Sequence, residues 1–200
     1  MGFDFNMGNS YRIASAFSNL ADQNHFDKTF SFWFNTTNGR EAEEDQGGKL
    51  FLGDVNPNYY SGDINYVNVT SDDRGMRTQW TFTLDAVSMD GFAFARNATA
   101  IPDTGTSLLA MPSRIADEMN QRIGASKEPQ SHLSVVDCDS VASMSDVVLH
   151  INGVAHTLKP EDYIIRFQNQ CVSGFMGFDF PDMDVWILGN VFLRVVCLSS

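Results

Sequence analysis

The chain has 200 residues, 43% hydrophobic and 12% aromatic, enough to bury the core of one domain or of a large lobe of a bigger protein. Its formal net charge of -12 repels phosphate groups and argues against nucleic-acid binding. No apolar run is long enough to span a membrane as a helix.

In chain order, Met1 to Asn6 shows neither a basic n-region nor an apolar h-region and is not read as a signal peptide. Ile13, Ala16, Phe17 and Leu20 recur at helical spacing. Phe30 to Phe34 and Lys49 to Leu52 read as strands, separated by an acidic, apolar-poor loop from Arg40 to Gly48. Asp63 to Val69 reads as a further strand. Trp80, Phe82 and Leu84 repeat with period two, which places them on one face of a strand. Asp90-Gly91 predicts a hairpin turn, with Phe92 to Ala95 running back. Ile115, Met119 and Ile123 predict a second helix, bounded by Pro112-Ser113 and Gly124. Val147 to Ile151, the turn Asn152-Gly153 and Val154 to Leu158 form the clearest hairpin. The fold class is therefore all-β with a few short helices, and no linker divides the chain into independent domains.

Several chemistries fail on their residue patterns. The three cysteines, Cys138, Cys171 and Cys197, contain no C-x-x-C pair, and the four histidines show no ligand spacing, so no metal site is expected. Asp54, Asn56 and Asn58 begin like a calcium loop, but Tyr59 and Asn65 replace the required Gly and Glu. There is no nucleophile elbow and no phosphate-binding Gly-Lys-Ser/Thr loop. N-x-S/T sequons start at Asn35, Asn68 and Asn97, a number close to chance for an Asn-rich chain.

The informative segment runs from Ala98 to Pro112 and centres on Asp103-Thr104-Gly105-Thr106. A strand leads to an Asp at a turn, and a second apolar run follows. Gly105 permits a tight turn, while Thr104 and Thr106 supply hydroxyls that can hold the loop and the carboxylate. A carboxylate held in this way can face a second one. Two carboxylates about 3 Å apart cannot both ionise, so one serves as base on a water and the other as acid to a carbonyl. The tripeptide alone better suits an ordinary β-turn.

The longer pattern is more specific. Ile101-Pro102-Asp103-Thr104-Gly105-Thr106-Ser107-Leu108-Leu109 resembles the second active-site loop of the pepsin-like aspartic endopeptidases, a family already known for the shared-proton pair. Gly48-Lys49-Leu50-Phe51-Leu52-Gly53, Tyr59-Tyr60-Ser61-Gly62-Asp63, Trp80 to Val87, Ile151-Asn152-Gly153-Val154 and Pro160 to Ile164 resemble further family segments. Val185-Trp186-Ile187-Leu188-Gly189-Asn190-Val191-Phe192-Leu193-Arg194 resembles its closing motif. The resemblance covers Gly2 to Arg194, in order.

It implies the C-terminal lobe of a bilobal acid-protease fold. Residues 1–27 would be a remnant of the N-terminal lobe and its crossover, and 28–194 the lobe itself. Residues 195–200 would be an aberrant tail, leaving the last strands truncated and a sheet edge open. Asp103 would be one of two catalytic aspartates, with its carboxylate on a concave face. Thr104 would brace the two active-site loops, Thr106 would bond the Asp103 carboxylate, and Gly105 would allow the turn. Ile187, Leu188 and Gly189 would lock the loop from below. Tyr60, Ile101, Phe178 and Ile187 would line substrate pockets, although each could be an ordinary core residue. Cys138 and Cys171 would form the lobe's disulfide, leaving Cys197 free. The substrate would be a polypeptide, with no cofactor beyond water. The family is typically secreted or vacuolar/lysosomal. Two features depart from the family pattern: Asn190 replaces an Asp, and no second Asp-Thr/Ser-Gly is present, so the missing N-terminal lobe would be needed as a partner. The alternatives are a non-catalytic or truncated product that binds peptide or a partner lobe without turnover, and a homodimer that supplies Asp103 twice across a two-fold axis.

Overall fold

A computed structural model describes residues 16–24, 26–35, 47–70, 80–128, 133–167, 169–180, 184–196 and 198–199. Helix α1 (Ala16–Asn24) leads into β1 (Phe30–Phe34) and β2 (Gly48–Leu52), then a 3-10 turn at Pro57–Tyr59. The hairpin β3 (Phe82–Met89) and β4 (Phe92–Pro102) precedes β5 (Leu109–Met111) and α2 (Ser113–Arg122). Next come β6 (Ser126–Lys127), β7 (Ser134–Val136) and a 3-10 segment at Cys138–Ser143. The chain continues through β8 (Val147–Ile151), β9 (Val154–Leu158), α3 (Pro160–Tyr163), β10 (Ile164–Phe167) and β11 (Gln170–Ser173). It closes with β12 (Phe175–Gly177), β13 (Val185–Leu188), α4 (Asn190–Leu193) and β14 (Leu198–Ser199). The fold is mostly β with a few short helices, as the alternating apolar runs predict.

Among the described residues the strands form three sheets. The largest has the order β12-β5-β13-β4-β3-β8-β9. Both predicted tight turns are present. Asp90 and Gly91 turn β3 into β4 with φ of 51° and 73°, and Asn152 and Gly153 turn β8 into β9 with 48° and 76°. These left-handed angles are the ones that Asn-Gly and Asp-Gly pairs tolerate. On β3, Phe82 and Leu84 are buried as the period-two pattern requires, and a bulge between Val87 and Ser88 then resets the phase. Helix α2 buries Ile115, Ala116 and Met119 against the β12–β5 side of this sheet and stops at Gly124, whose φ is 73°. In α1 the buried residue is Ala21 rather than the predicted Leu20, which is 42% exposed, and Ile13 lies outside the described residues.

A second sheet, β10-β11-β7-β6, carries the Cys138–Cys171 disulfide, with Cys171 on β11 and buried. The bridge spans 33 residues, and closing a loop of that length stabilises a fold by about 3 to 4 kcal/mol. Cys197 lies outside the described residues. Where the two sheets meet, Tyr163 is fully buried, stacks on Phe175 at 4.9 Å and donates its hydroxyl to Ser145 O at 2.8 Å. Burial, and then the charge of Asp146, push its ionisation well above the ordinary tyrosine range.

The third sheet is β14-β1-β2. Residues 198 and 199, in the segment read as an aberrant tail, pair with Phe32 and Ser31 of β1 and cover that edge. The segment 63–69, predicted as a strand, joins no sheet among the described residues. It is held instead by Asn65 Nδ2 to Ile151 O (2.8 Å), Asn152 Nδ2 to Tyr66 O (2.9 Å) and Thr70 N to Thr81 O (2.7 Å).

The edge strand β9 carries a pH-sensitive contact. His156 lies edge-on to Phe192 at 6.0 Å, and burial, then the neighbouring His150, lowers its pKa below 6.5. A lowered histidine pKa means that the folded state prefers the neutral ring. The unfolded chain takes up the proton first as the medium acidifies through 6.5, so stability falls between that pH and the folded value. His156→Gln is therefore expected to flatten the decline of Tm with acidification over that window. Thermal denaturation of both forms across it is the check, and parallel Tm curves would refute the assignment.

Candidate active site

The site is built where β13 inserts between β4 and β5, the two strands that residues 103–108 connect. β13 pairs parallel with β4, Ile187 opposite Ile101 and Leu188 opposite Pro102, and antiparallel with β5, Leu188 opposite Leu109. The Asp103 loop thus bridges the end of the strand that separates its two ends. Main-chain hydrogen bonds fix it there. Asp103 N–H donates to Leu188 O (3.0 Å), Asn190 N–H to Thr106 O (2.8 Å) and Val191 N–H to Ser107 O (3.2 Å). Such bonds need close backbone approach, and Gly189 permits it. A Cβ on Gly189 would lie 2.2 Å from Leu108 O and 2.4 Å from Thr106 O.

Asp103 is half-buried. Its Oδ1 accepts the Gly105 N–H at 2.9 Å, and its Oδ2 accepts the Thr106 hydroxyl at 2.6 Å. Both donors follow it in its own loop, as in a simple Asx turn. The local bonds therefore do not distinguish a structural aspartate from a catalytic one; what differs from a surface turn is the attachment of the Asp103 backbone to Leu188. Thr104 is exposed and makes no hydrogen bond among the described residues. Gly105 is exposed as well, and a Cβ there would meet only Asp103 Oδ1, at 3.2 Å.

The apolar candidates divide. Ile101 and Ile187 are in-register neighbours on β4 and β13, next to the loop, and both are half-buried. Phe178 is 45% exposed, lies edge-on to Phe180 at 4.8 Å and donates its N–H to Met111 O on β5. Tyr60 is half-buried after the 3-10 turn, next to the three-stranded sheet, and shares no strand pairing or hydrogen bond with the loop among the described residues. A shallow depression of about 520 Å³ is lined by Leu50, Phe51, Leu52, Asp54, Asn56 and Pro57, and Asp103 is not among its residues. Three or more metal-ligating side chains do not cluster anywhere among the described residues.

Sequence reasoning passed over two supports of the site. Gly174 accepts the Leu109 N–H through its carbonyl, and a Cβ on it would lie 2.6 Å from Tyr163 O. Asp179 accepts the Ser113 N–H at 2.8 Å at the start of α2, and that bond, joined by one from the Ser113 hydroxyl, lowers its pKa. A Gly near a bend and an Asp near an exposed Phe are the only sequence traces of these contacts.

The loop with its inserted strand can be set beside known proteins. The family model described as eukaryotic aspartyl protease matches residues 1–198. The chain belongs to the eukaryotic aspartyl protease family. It is 36% identical to pepsin A of Sus scrofa over 203 residues, covering 96% of this chain and 50% of that protein. To pepsin A of Canis lupus familiaris it is 39% identical over 158 residues, 76% of this chain and 39% of the relative. To vacuolar protease A of Aspergillus fumigatus it is 33% identical over 198 residues, 97% of this chain and 47% of the relative. The chain therefore spans about half the length of the curated relatives it matches. The family match runs past Arg194, where the recognisable motifs end, into the paired segment of β14.

Proposed function

We propose that this chain is one lobe of an aspartic endopeptidase, in which Asp103 supplies one of the two carboxylates that activate water against a peptide carbonyl. The observation that carries the proposal is the anchoring of the loop: main-chain bonds to Leu188, Asn190 and Val191 fasten it to the end of the inserted strand β13, and the Asp103 carboxylate is held on it by Gly105 N–H and Thr106 O–H. Both fixing bonds hold the carboxylate in one orientation, as a group that takes a proton from a bound water must be held. In this reading Thr104, exposed and without a hydrogen-bond partner among the described residues, is left to meet the loop of a second lobe that brings the other aspartate. Ile101, Ile187 and Phe178 form one apolar wall of a cleft for an extended polypeptide, with backbone hydrogen bonds giving affinity and alternating pockets giving specificity. Tyr60 belongs to that wall only if the second lobe closes the cleft on its side.

The test is cleavage of a quenched peptide with large apolar residues on both sides of the scissile bond, by the full-length protein in acid. Cleavage that a hydroxyl-bearing transition-state analogue blocks is the expected result, since the hydroxyl stands in for the attacking water between two carboxylates. Cleavage indifferent to that analogue, or none, would contradict the proposal.

A further inference from the structure

Outside the protease site, one surface position combines a chemical motif with a suitable setting. The sequon Asn68-Val69-Thr70 lies in the segment 63–70. Exposure alternates along it: Tyr66, Asn68 and Thr70 are exposed, while Val67 and Val69 are half-buried, with Val67 against the core. An extended chain with Asn68 on the outward side gives that alternation. The bonds that hold the segment use Asn65, the Tyr66 carbonyl and Thr70. The Asn68 carboxamide takes part in none of them and makes no other hydrogen bond among the described residues.

The other two sequons differ. Asn97 sits within β4 at a left-handed φ of 51°, and its sequon's Thr99 is paired on one side with Thr83 and on the other with Val185. Formation of this interior strand competes with modification. Asn35 is tied through its N–H to Gly47 O, and its sequon's Thr37 lies outside the described residues.

A second, independent feature bears on the setting in which the chain folds. The Cys138–Cys171 disulfide needs an oxidising environment to form and persist, and the secretory route that provides it is also where N-linked glycans are attached. We infer that Asn68 is an N-glycosylation site, taking an oligosaccharide from a lipid-pyrophosphate donor. The Asn68 amide nitrogen attacks the anomeric carbon of the first sugar, the bond from that carbon to the pyrophosphate oxygen breaks, and the lipid pyrophosphate departs. The amide gives up one N–H proton to a base of the transferase, and nothing is oxidised or reduced. The glycan then covers the outer side of the 63–70 segment without displacing a hydrogen bond.

The test is glycopeptide mass spectrometry on the full-length protein, directed into the secretory pathway of eukaryotic cells. Asn68 is expected to carry glycan and Asn97 to be bare. Asn68→Gln should remove a mobility shift that Thr70→Ser keeps and Asn97→Gln leaves unchanged. Because occupancy is read from the chain whether or not it cleaves peptide, the result is independent of the protease assignment. A bare Asn68 in protein with its Cys138–Cys171 bridge closed, whether secreted or retained in the pathway, would overturn the inference.

Discussion

Replacing Asp103 with Asn in the full-length protein is expected to lower kcat for peptide cleavage by on the order of 10⁴-fold, with KM little changed. Asn matches Asp in shape. Its carbonyl oxygen can still accept the Gly105 N–H, and the Thr106 hydroxyl can rotate to accept from the new amide. The loop, which is tied down through main-chain bonds to Leu188, Asn190 and Val191, loses none of them. What disappears is the ability to take a proton from water. The loss should therefore fall on turnover, with Tm unchanged. Kinetics and thermal melting of the variant decide this, and full activity in Asp103→Asn would remove Asp103 from the chemistry.

Gly189→Ala should produce the largest loss of stability from a single methyl group: about 3 kcal/mol, or roughly 10 °C in Tm. The added carbon would meet Leu108 O and Thr106 O, both backbone atoms of the loop above. Neither can retreat without breaking the Asn190 and Val191 hydrogen bonds that fasten the loop to the segment beyond β13. Gly105→Ala supplies the contrast. Its Cβ meets only the Asp103 carboxylate, a side chain able to turn, so it should shift activity far more than Tm. Denaturation and peptide cleavage measured on both variants separate the two effects. A Gly189→Ala protein as stable as the parent would mean that the loop does not rest on β13 as described.

The parts legible in the sequence were the local ones. Asp90-Gly91 and Asn152-Gly153 announce their turns because few residue pairs accept two consecutive left-handed angles. Phe82 and Leu84 show their face of β3 until the bulge after Val87 breaks the period. The segment 63–69 misled because alternation marks an extended chain but not a hydrogen-bonded neighbour; side chains of Asn65 and Asn152 hold it where a sheet was predicted. The sheet formed by β10, β11, β7 and β6 was not foreseen, since strands of two to four residues are too short to display a period. At the site, Asp103 and its loop residues stood out through motif resemblance. The insertion of β13 between β4 and β5 follows from no local preference, because Leu188 and Pro102 meet across a long stretch of chain. Asp179 reaches Ser113 across 66 positions, a pairing that an Asp beside an exposed Phe does not specify.

The most direct measurement is the rate of peptide cleavage by this chain alone, in acid, as a function of its concentration, with Asp103→Asn as control. One carboxylate cannot act as base and acid in the same turnover, and the repulsion between two chains of charge -12 opposes pairing near neutrality. The expected result is no cleavage at any concentration, with activity recovered when a lobe bearing a second catalytic aspartate is added. Cleavage by the chain alone that requires Asp103 and rises with the square of its concentration would contradict this and assign the second carboxylate to a second copy of the chain.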